Sequence, residues 1–320
     1  MSRILSNRIA VAGLLLALAA GTAAWSQVTI DPKEAGPDYA VQGEYQGKDG
    51  PALGCQVIAL GDGQFRAVFL PGGLPGEGWD GKTRVQVNGK TSGEAAVFEA
   101  PDAGWSARLT DGKLTGKTGE GTEFSLARVV RHSKTEGLKP PAGAQVLFDG
   151  TNTDQWVSGR KTEDGLLMEG TQTKKPYRNF TLHLEFMTPF MPKARGQGRG
   201  NSGVFLDGRY EIQVLDSFGL TGENNECGGV YSIVKPLVNM CYPPITWQTY
   251  DIDFRAPEFE NGTKTRSARV TVKHNGVLIH DNVEIPKSTA GGQEGPDPGP
   301  IQCMNHGNPV RFRNIWVVGE

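Results

Sequence analysis

The chain carries no excess of basic charge. Its 33 Lys and Arg stand against 35 Asp and Glu, for a net charge of −2. That balance gives no electrostatic footprint for nucleic acid or for an anionic membrane surface. Cysteine is sparse: only Cys55, Cys227, Cys241 and Cys303 occur, and no CxxC pair is among them. A structural zinc site is therefore not signalled. Beyond the first two dozen residues no stretch reaches about 18 apolar residues, so no membrane span is expected in the mature protein. Fixed-period repeats are missing, the glycines follow no G-X-Y pattern, and no long helical periodicity stands out.

Glycine is abundant instead, at 44 of 320 residues, with 20 prolines. Runs of apolar β-formers lie between them, which argues against disorder and for many short strands joined by turns. The N-terminus reads as an export signal over residues 1–26. Arg3 and Arg8 supply positive charge, Ile9 to Ala20 is a short apolar run, and Ala24-Trp25-Ser26 is a cleavage pattern. The protein is accordingly expected to be periplasmic or extracellular, where disulfides are permitted. Cys227 and Cys241 close a short Gly/Pro-rich loop and are the expected bridge; Cys55 and Cys303 are expected as buried thiols.

Two β bodies follow. Residues 27–131 read as a small all-β domain. Its turn signals include Gly61-Asp62-Gly63, Asn88-Gly89 and Asp111-Gly112. Residues 132–143, with Lys139-Pro140-Pro141, read as a stiff extended linker. Residues 144–320 read as a sandwich of antiparallel sheets: Thr181 to Phe186 and Tyr250 to Phe254 alternate with period two, and Asn275-Gly276 turns a hairpin.

Chemistry-bearing residues concentrate between Asn201 and Asp216. After a turn at Asp207-Gly208, Tyr210, Ile212 and Val214 share one face of a strand, and Glu211 and Gln213 share the other. A carboxylate beside an amide suits acid/base work or sugar binding. Asp216 returns beside Glu211 only if a residue bulges. Of the histidines, His183 is expected to be solvated on its strand and His274 and His280 exposed at their hairpin, while His306 lies in a turn before the last strand. Trp247 and Tyr231 are each either core or a sugar-stacking platform. Residues 192–200 read as either a lid over the polar face or an ordinary loop.

Leu147-Phe148-Asp149-Gly150-Thr151 with Trp156, Asn201-Ser202-Gly203-Val204-Phe205, Tyr210 to Asp216, Trp247 to Asp251, Asn275-Gly276-Val277, Gly299-Pro300-Ile301 and His306 to Ile315 occur in order. This set resembles the 3-keto-disaccharide hydrolase-like domain family over residues 144–320. The resemblance implies an all-β, concanavalin A-like jelly-roll sandwich and a carbohydrate substrate, a 3-keto-glycoside in the characterised branch. One position departs: Cys303-Met304 stands where relatives often carry Leu-Gln. A C3 ketone acidifies the C2 hydrogen, so the reaction needs a base, an enolate stabiliser and an acid for the leaving group. Glu211 or His306 is the candidate base, Gln213 or Arg209 the enolate holder and Asp216 the acid. Asn201, Tyr231 and Trp247 are candidate substrate contacts. A divalent metal on Glu211, Asp216 and His306 is a further option. The alternative is a non-catalytic, lectin-like carbohydrate-binding protein, for which Trp247 and Tyr231 would matter more than the acids.

Overall fold

The computed structural model describes residues 28–47, 52–289 and 291–319. The expected export signal lies outside them.

Residues 43–129 close into an antiparallel barrel of eight strands, Gly43–Gln46, Leu53–Gly61, Gln64–Pro71, Val85–Ser92, Ala95–Ala100, Trp105–Thr110, Lys113–Lys117 and Glu123–Val129. A six-residue helix, Gly36–Val41, precedes it. Tyr45, Phe65, Phe69, Phe98 and Leu126 fill the interior. Closure removes the unpaired edges that an open sheet of this size would expose. At Asp111-Gly112 both residues have positive φ, 50° and 73°, as a two-residue hairpin turn requires. Asn88-Gly89 does not turn. It lies inside Val85–Ser92, paired to Ala95–Ala100, and a Cβ on Gly89 would stand 2.3 Å from the Phe98 ring. The glycine there serves close packing, which overrides the turn signal.

The second body is a sandwich of two antiparallel sheets, the all-β jelly-roll type expected. One sheet runs Trp156–Val157, Thr171–Thr173, Gln302–Cys303, Ser202–Leu206, Tyr210–Val214. The other runs Leu167–Met168, Arg311–Gly319, Phe180–Met187, Gln248–Arg255, Ala268–His274, Val277–Ile285, with Gln145–Phe148 added on Arg311–Gly319. Leu182, Leu184, Phe186, Val204, Ile212, Tyr250 and Ile252 meet between the sheets. The alternation seen in sequence thus separates a shared core from two outer faces. His274 points into that core against Phe186 and Tyr250, and burial lowers its pKa to about 3. His280 is also buried, bonded to the Gly228 carbonyl at 2.7 Å. The hairpin flanks are therefore packed sites, contrary to expectation.

The two bodies share apolar surface. Ile58, Val68, Leu70 and Leu74 of the barrel belong to the core cluster of the sandwich, and Phe190 of the sandwich belongs to that of the barrel. Arg131, at the barrel's exit, pairs with buried Glu44 at 2.5 Å and lies 4.8 Å over the Tyr242 ring.

The expected linker is no spacer in its first half. Residues 133–138 dock on the outer face of the larger sheet. Ser133 and Thr135 reach the Thr249 hydroxyl at 2.6 and 2.7 Å, Thr135 donates to Asp251 at 2.7 Å, and the Gly137 N–H donates to Glu185 at 2.6 Å. His183 is sealed beneath this segment, stacked on Trp316 and bonded to Asp251 at 2.7 Å. The solvated strand histidine of the sequence reading is thus part of a buried polar seam.

Candidate active site

Glu211 projects from the outer face of the smaller sheet. Tyr210, Ile212 and Val214 turn inward, so Glu211 and Gln213 turn outward. Cross-strand pairing sets Glu211 against Phe205 and Gln213 against Gly203. The Glu211 side chain leans diagonally, so that a Cβ on Gly203 would stand 2.1 Å from its Oε1. Among the described residues its carboxyl has no hydrogen-bond or ion-pair partner. The residue is only 5% exposed, and burial alone raises its pKa to about 7. An unpaired carboxyl kept half-protonated near neutrality is the usual condition of a general base or acid.

Four segments wall this face. Residues 228–231 extend the sheet beyond Tyr210–Val214. Gln213 N–H donates to Gly229 at 2.9 Å, and Tyr231 N–H donates to the Glu211 carbonyl at 3.0 Å. Thr289 accepts the Glu211 N–H at 2.8 Å. Residues 304–308 are anchored at both ends, through Met304 N–H to the Gly203 carbonyl at 2.9 Å and Asn308 Oδ1 to the Asn201 N–H at 2.7 Å. The fourth wall is residues 196–198, which carry Gln197. Its Oε1 accepts from Gln213 at 3.0 Å, its carbonyl accepts from Asn201 at 2.8 Å, and its Nε2 donates to the Asn225 carbonyl at 2.7 Å. Gln197 is a site residue that the sequence reading passed over. The segment expected as either lid or loop is held in place by these bonds. Asn201 Oδ1, buried beside them, has no partner among the described residues.

The sequence candidates therefore divide. Glu211, Gln213, Asn201 and Tyr231 come together, and His306 stands exposed on the 304–308 wall. Asp216 does not join them. The strand ends at Val214 without a bulge, and Asp216 turns toward the barrel, its side chain fully covered and paired to Arg199 at 2.6 Å. Its other oxygen accepts the Phe218 N–H. Arg209 is also committed, to Asp207 at 2.8 Å and to the carbonyls of Gln293 and Asp297. Trp247 lies on the far side of the molecule, against the larger sheet, with Arg313 4.0 Å over its ring.

Glu211, Asp216 and His306 do not form a ligand set. Among the described residues no three His, Cys, Asp or Glu side chains cluster to hold a metal ion, and Asp216 has both oxygens engaged. Cys227 and Cys241 are both buried free thiols, and the Cys241 thiol donates to the carbonyls of Leu215 and Tyr242. Cys227 also contacts Tyr250, whose hydroxyl donates to the Gln213 carbonyl at 2.6 Å. The expected bridge between Cys227 and Cys241 is not formed in this structure.

This geometry coincides with a match to known proteins. The model of the 3-keto-alpha-glucoside-1,2-lyase-like domain family matches residues 143–318, more than half of the chain. The chain belongs to this family. A solved structure from Parabacteroides distasonis ATCC 8503, named provisionally as a glycosyl hydrolase, is 34% identical with a TM-score of 0.52. The alignment covers 56% of this chain and 85% of that one. A second structure from the same organism, under the same provisional name, is 18% identical over 60% of this chain and 98% of the other, with a TM-score of 0.41. No curated protein sequence matches the chain. The family match begins at residue 143, beyond the docked segment, so the barrel lies outside it.

Proposed function

We propose that this family member is a carbohydrate-active enzyme that cleaves 3-keto-glycosides by removing the C2 proton. The observation that carries the reading is Glu211: a buried, unpaired carboxyl with its pKa raised to about 7, on a sheet face walled by four segments. The family description supports a 3-keto-glucoside substrate, and the provisional name of the 34% identical relative supports action on glycosides in general.

Glu211 takes the C2 proton, which the C3 ketone has acidified, and the C2–H electrons pass into the enolate. The Gln213 carboxamide, oriented by Gln197, donates to the enolate oxygen. As the enolate collapses, a C1=C2 double bond forms, the C1–O bond breaks and the aglycone oxygen takes up a proton. With Asp216 sealed away, the exposed wall residue His306 is the proton donor in this scheme. Water adding at C1 then gives net hydrolysis; departure of the unsaturated ketone gives net lysis. Residues 1–26 direct the protein out of the cytoplasm in this reading, and N-terminal sequencing of the exported protein tests that.

Incubation with 3-keto-disaccharides and plain disaccharides, with and without chelator, tests the chemistry. Wild type is expected to turn over only the keto sugars. Glu211→Gln is expected to lose about 10² to 10⁴ in kcat, the usual contribution of a general base. Equal turnover by the two proteins, or turnover of plain disaccharides alone, would overturn the assignment.

A further inference from the structure

Behind the 196–198 wall, where barrel and sandwich meet, lies a cavity of about 370 Å³. Its floor is apolar, from Ile58, Leu60 and Phe218, and its rim carries Arg66, Arg195 and Arg199. The acid in the lining is Asp216, and it is spent on Arg199. Arg66 comes from the barrel strand Gln64–Pro71. Its Nε donates to Asn88 at 3.2 Å, and among the described residues no carboxylate pairs with it. Arg195 comes from the wall loop and donates to the carbonyls of Pro192, Ala194 and Leu60, again with no paired carboxylate. A fourth guanidinium, Arg84, is nearby. It reaches the Gly219 carbonyl at 2.7 Å, and its buried Nε has no partner.

These cations repel one another. Burial first, then Arg199 and Arg66, lower the pKa of Arg195, with Asp216 opposing. Burial and Arg66 act likewise on Arg84, with Glu226 opposing. Asp216 thus offsets Arg195 and Glu226 offsets Arg84, and since among the described residues no carboxylate pairs with Arg66 or Arg195, a positive excess remains over a concave, low-dielectric floor. Such a surface focuses its field on a small anion, and guanidinium forks match planar or tetrahedral oxyanions.

We propose that the cavity at the domain junction is an oxyanion-binding site, with Arg66 of the barrel and Arg195 of the wall loop closing on one phosphate, sulfate or carboxylate group. Occupancy would tie the barrel to the loop that carries Gln197, and so stiffen one wall of the Glu211 face from behind.

Calorimetric titration of full-length protein with inorganic phosphate, at ionic strength held constant with chloride, tests the site without any turnover. Its outcome is therefore separate from that of the Glu211 chemistry. Saturable one-to-one binding is expected, weakened at least tenfold in Arg66→Gln/Arg195→Gln and unchanged in Arg269→Gln on the distant hairpin. The single Arg66→Gln variant guards against a folding defect, because its described hydrogen bond is to exposed Asn88. It is expected to weaken binding at least threefold. Hydrogen exchange in residues 195–199 is expected to slow when phosphate binds. A hexose phosphate and a uronic acid identify the source: tighter binding than inorganic phosphate indicates an acidic saccharide, equal binding a free anion. Absence of saturable binding, or affinity within twofold of wild type in both variants, would overturn the proposal.

Discussion

A methyl group on Gly203 would stand 2.1 Å from Oε1 of Glu211. The two residues are diagonal neighbours on adjacent strands, and the missing side chain is what lets the carboxyl lie across the sheet. In Gly203→Ala the strand keeps its pairing and the carboxyl must move by about an ångström or more. Since displacement on that scale can cost about 10²-fold in rate, kcat/KM on the keto sugar is expected to fall by about that factor. The melting temperature should change little. A fall in kcat/KM under threefold would show that the carboxyl's position does not matter.

Glu211 also links pH to stability. Its pKa is about 7 in the folded chain, pushed up by burial, against about 4.5 unfolded. A carboxyl shifted upward favours the fold while protonated, so its contribution is present below pH 4.5 and is lost as pH rises toward 7. At one pKa unit per 1.36 kcal/mol the loss is about 3 kcal/mol. Glu211→Gln should therefore be the more stable protein above pH 7 and near wild type at pH 4. Denaturant midpoints at the two pH values check this, and catalysis by the wild type should rise with pH through the same range.

The seam under residues 133–138 has its own pH window. Glu185 is buried, which by itself would raise its pKa, but His183, Asn314, the Gly137 N–H and Arg313 together hold it down at about 2. Burial pulls His183 down too, yet Asp251 and Glu185 leave its pKa raised above 6.5. The Glu185 contribution is therefore present above about 4.5 and lost as pH falls toward 2. The His183 contribution is present below about 6.5 and lost as pH rises past its folded value. Docking of 133–138 should be tightest between about pH 4.5 and 6.5, as read by protease cleavage near Thr135. In His183→Gln, cleavage should no longer slow as pH falls from above the folded His183 pKa toward 6.5.

Because Ile58, Val68, Leu70 and Leu74 belong to the sandwich core cluster, barrel and sandwich should melt together. Scanning calorimetry is expected to give one transition, and Ile58→Ala should lower it by about 2–5 kcal/mol of stability. Two resolved transitions would mean that the shared surface does not couple the bodies.

Much of this architecture was legible in the chain. Period-two alternation placed Leu182, Leu184 and Phe186 inside and set Glu211 and Gln213 on one outer face, because a pleated strand allows no other arrangement. What local pattern could not supply was tertiary context. Asn88-Gly89 reads as a turn until Phe98 is known to lie on the glycine. His183, on the polar side of its strand, reads as solvated until residues 133–138 cover it. Asp216 seemed a partner for Glu211 because spacing does not reveal that the strand stops at Val214 and that Arg199 waits beside the barrel. Gln197 left only a faint mark, a polar residue between two glycines just ahead of Asn201.

The family match begins at residue 143, yet the apolar contacts run on through it. Ancestry and mechanics thus divide this polypeptide at different places. A segment trimmed to the inherited limits would keep Glu211 and Gln213 but lose the barrel residues that cover part of its own interior. It would also lose the Leu60 carbonyl and Gln42 side chain that brace Arg195 and Arg199. Anyone transplanting the family-matched portion into another protein should expect to carry the short helix and the barrel, residues 36–129, along with it.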